Sequence, residues 1–212
     1  MKAKVYSTDG KATRKTVELN ANVFEVQVSD GCIYYAVKNE LANRRVGTAC
    51  TKTRAEVNYS NTKPFKQKGT GNARRGDKKS PIFVGGGTIF GPRPRDYSYT
   101  VPRKVKRNAM RSLLSMAVKE EKMVVVEDFT IDSGKTKDMA AILRNFATDG
   151  QRTVVIMHND DAKIRRASRN IPFVHVLAYD KLSAKELLYG KKVIMLESAA
   201  KNLNEFYATE ER

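Results

Sequence analysis

The sequence predicts an α/β fold: a three-layer domain with a mostly parallel central sheet covered by helices, plus a long basic extended loop. Three observations point there. Four short apolar or β-branched runs, MVVVE (123–127), TVVIM (153–157), VHVLAY (174–179) and VIML (193–196), show the continuous hydrophobicity of strands buried on both faces. Stretches of helical spacing lie between them, and regular alternation of strand and helix builds a parallel sheet through crossover connections. Ahead of them, residues 46–100 lack the apolar side chains of a core and read as an arm inserted into one domain spanning 1–212.

Taken in order, residues 2–6 and 15–19 alternate like two strands around Asp9-Gly10, a turn-prone pair, and predict an N-terminal hairpin. A helix follows from Ile33 to Arg45, with Ile33, Ala36, Val37 and Leu41 inward, Asp30 upstream as a cap, and Arg44 and Arg45 at the end the helix dipole favours for cations. After the arm, a helix from about Pro102 to Glu121 places proline in its first turn and Val105, Ala109, Leu113 and Ala117 on one face. Further helices are expected at Lys137–Thr148 (Met139, Ile142, Leu143 and Phe146 inward), Asp161–Arg169, Ala184–Tyr189, and from Ser198 through Leu203, Phe206 and Tyr207.

At 212 residues the chain suits one ordinary domain with an appendage. No apolar run approaches the roughly 20 residues of a membrane span, and MKAKVYSTDG lacks a signal peptide's apolar centre, so a soluble cytoplasmic protein is expected. Cys32 and Cys50 are too few for a disulfide framework and lack metal-ligand spacing; they read as reduced thiols, with no metal or cofactor implied.

Charge identifies the chemistry. Residues 44–111 hold 18 of the 40 lysines and arginines but only Glu56, Asp77 and Asp96 as acids, so this third of the chain carries +15 of the +17 formal charge. Eight of 13 glycines and five of six prolines fall in the same stretch, a composition that resists helix and sheet alike. Clustered cations on a core-poor segment repel one another until a polyanion neutralises them, and nucleic acid is the expected partner. Aromatics are interleaved: Phe65 sits between Pro64 and Lys66, and Tyr97 and Tyr99 follow Arg93 and Arg95. These rings either stack on unpaired bases or pin the base of the arm to the body, Tyr97 and Tyr99 more readily than Phe65. Gly85, Gly86 and Gly87 read as a sharp bend or a close backbone approach to RNA.

Arg103, Lys104, Lys106 and Arg107 crowd a helix N-terminus, where the dipole disfavours cations; phosphate would resolve that conflict. Arg103, Arg107 and Arg111, four apart, predict one stripe about opposite the apolar face. Lys163, Arg165, Arg166 and Arg169 read as a solvated basic surface. Enzymatic signals are weak. GTGNARRG (69–76) matches neither phosphate-loop pattern, and no apolar strand precedes it. His158 with Asp160 and Asp161 follows a strand, but the acids read better as caps of the next helix; His175 alternates within a strand.

Residues 53–99 carry a long and specific series of motifs: TRAEV, KP followed by an aromatic, QKGTG, AR, KSPI, GGG and FGPRPRDYS, in that order. In these the chain closely resembles ribosomal large-subunit protein four in its bacterial form, and weaker similarity of the body extends the match over essentially the whole chain. The resemblance implies an α/β body on the subunit surface and an extended loop buried in large-subunit ribosomal RNA. The loop tip would line the narrow part of the peptide exit tunnel, beside the hairpin of ribosomal protein twenty-two. Lys63, Lys66, Lys68, Arg74, Arg75, Lys78 and Lys79 match family positions that contact RNA, and Gln67, Lys68, Gly69, Thr70 and Gly71 match the tunnel-facing tip. Departures fall at Phe65, where the family commonly has tryptophan, and at Lys66 and Asn72, where it has arginine.

The expected function is therefore that of a non-catalytic constituent of the large ribosomal subunit. Its expected partners are large-subunit ribosomal RNA, neighbouring subunit proteins and the nascent peptide, with no membrane. The expected RNA contacts are Arg44, Arg45, Lys52, Arg54, Lys63, Phe65, Lys66, Lys68, Arg74, Arg75, Lys78, Lys79, Arg93, Arg95, Arg103, Lys104, Arg107 and Arg111. Two rivals are a free regulatory RNA binder repressing its own message, and an α/β hydrolase using His158 and Asp160.

Overall fold

β1 (Lys2–Tyr6) and β2 (Ala12–Glu18) pair antiparallel across the expected turn. In the computed structural model, which describes residues 1–146, 148 and 150–208, this hairpin joins a six-stranded sheet with β3 (Met123–Val126), β4 (Thr153–Met157), β5 (Val174–Ala178) and β6 (Lys192–Leu196). The order is β2-β1-β3-β6-β4-β5. Every neighbouring pair but β1–β2 is parallel, with Val5 opposite Val125, Val125 opposite Met195, and Val154 opposite both Val193 and His175. The sheet is thus mixed at one edge and mostly parallel, as expected. The edge strand β2 exposes Arg14, Lys15 and Thr16, side chains that discourage further strand pairing.

Seven helices are described: α1 (Ala21–Phe24), α2 (Asp30–Asn43), α3 (Arg103–Lys119), α4 (Thr136–Asn145), α5 (Ala162–Ser168), α6 (Ala184–Tyr189) and α7 (Glu197–Ala208). α4 and α5 pack together, while α1 touches α3 and α7, and α3 touches α6. The crossovers through α4 and α5 step outward along the sheet and the one through α6 steps back, so right-handed connections put the two helix groups on opposite faces. Between them lie β4, Val193–Leu196 of β6, Leu114 and Leu203, all buried.

Several expectations needed correction. The turn α1 was not expected; Asn20 caps it by accepting from the Asn22 amide at 3.0 Å, and Val23 and Phe24 are buried. α2 ends at Asn43, before Arg44 and Arg45. Leu41 is exposed, because the inward stripe Ile33-Ala36-Val37 continues to Glu40, whose carboxylate has another task. Phe206 is 40% exposed, although it meets the Tyr179 and Tyr207 rings edge-on. α4 ends at Asn145, and Ala147 of the longer helix expected there lies outside the described residues.

By internal contacts the chain divides into two units, Met1–Ala42 with Tyr99–Arg212, and Asn43–Ser98. Apart from Asn43, which ends α2, the second unit contains none of these strands or helices, and its one buried residue is Gly87.

Candidate nucleic-acid interface

The segment 43–98 has an outgoing and a returning limb, bridged by backbone hydrogen bonds in place of a core. The Arg95 amide donates to the Gly47 carbonyl (3.2 Å), Thr51 to Pro92 (3.1 Å) and Thr88 to Lys52 (3.0 Å), while the Gly87 amide on the Lys79 carbonyl (3.0 Å) closes a loop within the returning limb. Thr53–Val57 forms a single helical turn, with the Val57 amide on the Thr53 carbonyl at 3.1 Å. Glu56 reaches back to the Thr53 amide (2.8 Å) and hydroxyl (3.1 Å), the carboxylate half of a capping box. Those bonds, the amide's first, hold the Glu56 carboxyl below its ordinary pKa. Gly87 explains part of the glycine run. A Cβ there would lie 2.3 Å from the Arg54 nitrogen, so the close approach is to the arm's own backbone.

The expected RNA contacts fall into two groups. In one, guanidiniums are already engaged: Arg45 and Arg95 lie over the Tyr97 ring at 3.8 and 4.3 Å, Arg75 lies over Phe83 at 4.7 Å, and Arg54 pairs with Asp77 at 3.2 Å. Tyr97 thus braces the arm internally, and the Arg95 hydrogen bond, aided by both guanidinium charges, lowers its phenol pKa. Arg44 is exposed; in the other group, Lys52, Lys66, Lys68, Arg74, Lys78 and Arg93 are exposed and Lys79 half-exposed, Lys63 bonds to Gln67, and Phe65 is half-buried. The tip, Gln67 to Gly71, is exposed throughout. Gly69 (φ +82°) and Gly71 (φ +69°) are left-handed, and a Cβ on either would meet nothing within 4 Å.

Countercharge within this unit is scarce. It holds 13 lysines and arginines against three carboxylates. Glu56 serves Thr53, and Asp96 accepts from the Ser98 amide (2.8 Å) and hydroxyl (2.6 Å), bonds that lower its pKa, the hydroxyl's foremost. That leaves Asp77, on Arg54. Within the unit, cations therefore exceed carboxylates by ten.

In the body, Pro102 precedes α3 without a side-chain cap, and Arg103, Lys104 and Lys106 are exposed in its first turns. The expected arginine stripe divides. Arg103 is exposed, but Arg107 and Arg111 are half-buried, and the Arg111 guanidinium donates to the Tyr207 carbonyl (2.9 Å from Nε) near the end of α7. A cation there suits the negative end of the helix dipole. Burial pushes the Tyr207 phenol up to about 12, against the opposing charge of Arg107. Tyr99 belongs to the body unit, and its carbonyl accepts from the Asn39 amide.

Comparison with known proteins decides what this arrangement belongs to. Residues 17–206 match the model of the ribosomal protein L4/L1 family. The chain belongs to that family. The protein named large ribosomal subunit protein uL4 in Treponema denticola is 62% identical over 100% of this chain and 99% of its own. Those of Treponema pallidum (56%, covering 100% and 97%) and Borreliella afzelii (51%, covering 98% and 99%) carry the same name. The L4 family is structural and not enzymatic.

Within this family member the hydrolase constellation is otherwise occupied. His158 contacts Asn202 and stacks on Tyr179, Asp160 pairs with Arg165 at 2.7 Å, and Asp161 caps α5 by accepting from the Lys163 amide at 2.8 Å, as expected. Lys163 pairs with Asp132 at 2.8 Å, which raises the lysine's pKa and lowers the carboxyl's, chiefly through that hydrogen bond. The basic cluster on α5 is thus partly neutralised at home, unlike the arm. The Arg111–Tyr207 strut and a cleft behind the tip leave no local sequence signal and were not expected.

Proposed function

We propose that residues 43–98 are the element by which this protein binds large-subunit ribosomal RNA, with Gln67, Lys68, Gly69, Thr70 and Gly71 lining the peptide exit tunnel. The observation that carries the reading is the charge imbalance: 13 cations against three acids, two of which are engaged by neutral neighbours. Packing ribosomal RNA brings phosphates together, and a thin segment without a core supplies countercharge where a globular body could not enter. The exposed lysines and arginines supply phosphate contacts, while Arg45, Arg54, Arg75 and Arg95 present guanidiniums already oriented by their partners. Arg103 and Lys104 add a phosphate site at the start of α3, and Arg111 supports it as a strut. The protein works in the cytoplasm within the ribosome, beside other large-subunit proteins, with the nascent peptide passing its tip. A free regulator of its own message is not favoured, since full-length relatives are named as subunit proteins.

A density-gradient profile of the tagged protein combined with ultraviolet crosslinking tests this. We expect nearly all of it in the large-subunit and ribosome fractions, with RNA crosslinks concentrated between Lys52 and Lys79. A substantial pool free of ribosomes, or crosslinks confined to the body, would refute it.

A further inference from the structure

We propose that the arm contains a receptor for a single unpaired nucleotide of RNA, a reading that rests on the RNA-binding role proposed above and adds a base to its phosphate contacts. A cleft of about 400 Å³ lies just behind the tip. The outgoing limb supplies Tyr59 and Phe65, and the returning limb Arg75, Lys78 and Phe83. Tyr59 is 49% exposed, and Phe65 and Phe83 are half-buried.

Three aromatic rings around one opening need a reason in a segment that buries nothing but Gly87. They do not close a core. They form flat apolar walls open to solvent, and Arg75, 4.7 Å over the Phe83 ring, extends that platform with a guanidinium plane. Unpaired bases are held by aromatic faces and guanidinium planes of this kind, with lysines taking the adjoining phosphate. Lys78 lines the same cleft and Lys79 follows it. The volume sits toward the low end of the roughly 300–1,000 Å³ of small-ligand sites, which suits one nucleotide and excludes a duplex. The surrounding charge, 13 cations against three acids, selects a polyanion carrying that base over a neutral peptide side chain. Stacking reads the face of a base and not its edges, so the receptor accepts any base that the RNA leaves unpaired.

The chain has no tryptophan, so Phe65→Trp places a single tryptophan, selectively excitable over the tyrosines, in the cleft of the full-length protein. The probes are a mixed-sequence single-stranded RNA octamer, the same sugar-phosphate octamer without bases, the octamer paired in a duplex, and free uridine monophosphate. We expect the octamer to quench the tryptophan and to bind about five- to 150-fold more tightly than the abasic strand, the range that stacking of one base supplies. The duplex should bind without quenching and the mononucleotide only weakly, since one phosphate adds little. Tyr59→Ala or Phe83→Ala in that background should remove the base-dependent advantage and leave abasic binding and thermal unfolding of the body unchanged. Equal affinity for octamer and abasic strand would overturn the receptor while leaving the phosphate-binding role intact. Quenching by an acidic peptide but not by the octamer would also overturn it, and failure of every RNA probe at low salt would overturn both.

Discussion

Replacing Lys66, Lys68, Lys78 and Lys79 together by glutamine removes four arm cations that no carboxylate or ring engages. Eight such residues occur among the described residues of the arm: these four with Lys52, Lys63, Arg74 and Arg93, outside the Arg54–Asp77 pair and the three arginine–ring contacts. If each meets one phosphate, the log–log slope of affinity against salt is about −6 for unpaired RNA, and doubling the salt weakens binding about 50-fold. The quadruple variant should show a slope of about −3, and doubling the salt should then cost it only about sevenfold. Fluorescence anisotropy of a labelled large-subunit RNA transcript, titrated with full-length protein over a salt series, measures both. The matched control replaces the exposed body residues Lys2, Lys11, Lys135 and Lys137 by glutamine. A wild-type slope near zero, or equal loss of slope in variant and control, would refute the reasoning that the arm supplies the countercharge.

Three further outcomes follow from the geometry. Glu40 on α2 accepts from the Ser183 hydroxyl (2.7 Å) and from the Ala184 and Lys185 amides (2.7 and 3.0 Å), so it caps α6; Glu40→Ala should cost about 1–2 kcal/mol and lower Tm by about 2–8 °C in calorimetry. An unchanged Tm would deny the cap its role. Burial acts to raise the pKa of Glu186, but the Arg152 hydrogen bond and the charges of His175, Arg152 and Lys185 outweigh it and leave the carboxyl below its ordinary 4.5. A depressed carboxyl stabilises the fold above its unfolded pKa and loses that contribution as pH falls through the folded value. Glu186→Gln should therefore lower stability at pH 7 and flatten the decline below about pH 4.5 in chemical unfolding; an unaltered acid limb would contradict this. Gly87→Ala sets a Cβ 2.3 Å from the Arg54 nitrogen and 2.6 Å from its Cα, so the limbs must part locally. RNA affinity should drop by roughly tenfold while the unfolding temperature of the body stays put, because little of the arm is buried; a large fall in Tm with intact binding would reverse that assignment.

Legibility in the sequence tracked how locally each feature is encoded. β4 and α6 lie where their residues placed them, because TVVIM is buried throughout and α6 is bracketed by Ser183, which accepts from the Glu186 amide, and by Gly190. α1 escaped notice because four residues carry no periodicity, and the Asn20 amide that leads into it donates to Asn204, 184 positions away. Leu41 misled for a related reason: spacing shows that a helix has an inward face, but only the neighbouring helix shows that Glu40 and not Leu41 occupies its end. The candidate interface was legible as a charge count and a motif series. The sorting of its arginines into ring-bound, paired and exposed was not, since Arg45 and Tyr97 stand 52 positions apart.

By itself the sequence determined the α/β class, most of the helical and strand segments and a core-poor arm dense in positive charge, because apolar spacing, turn residues and net charge act over a few neighbours and sum without regard to partners. Tertiary structure alone decided the strand order, the cap that Glu40 lends to α6, the strut from Arg111 to the end of α7, and the ring-lined cleft behind the tip. Each of these joins side chains or strands distant in the chain, and such pairings are selected by the packing of the whole fold against the entropy of closing long loops, which no local pattern records.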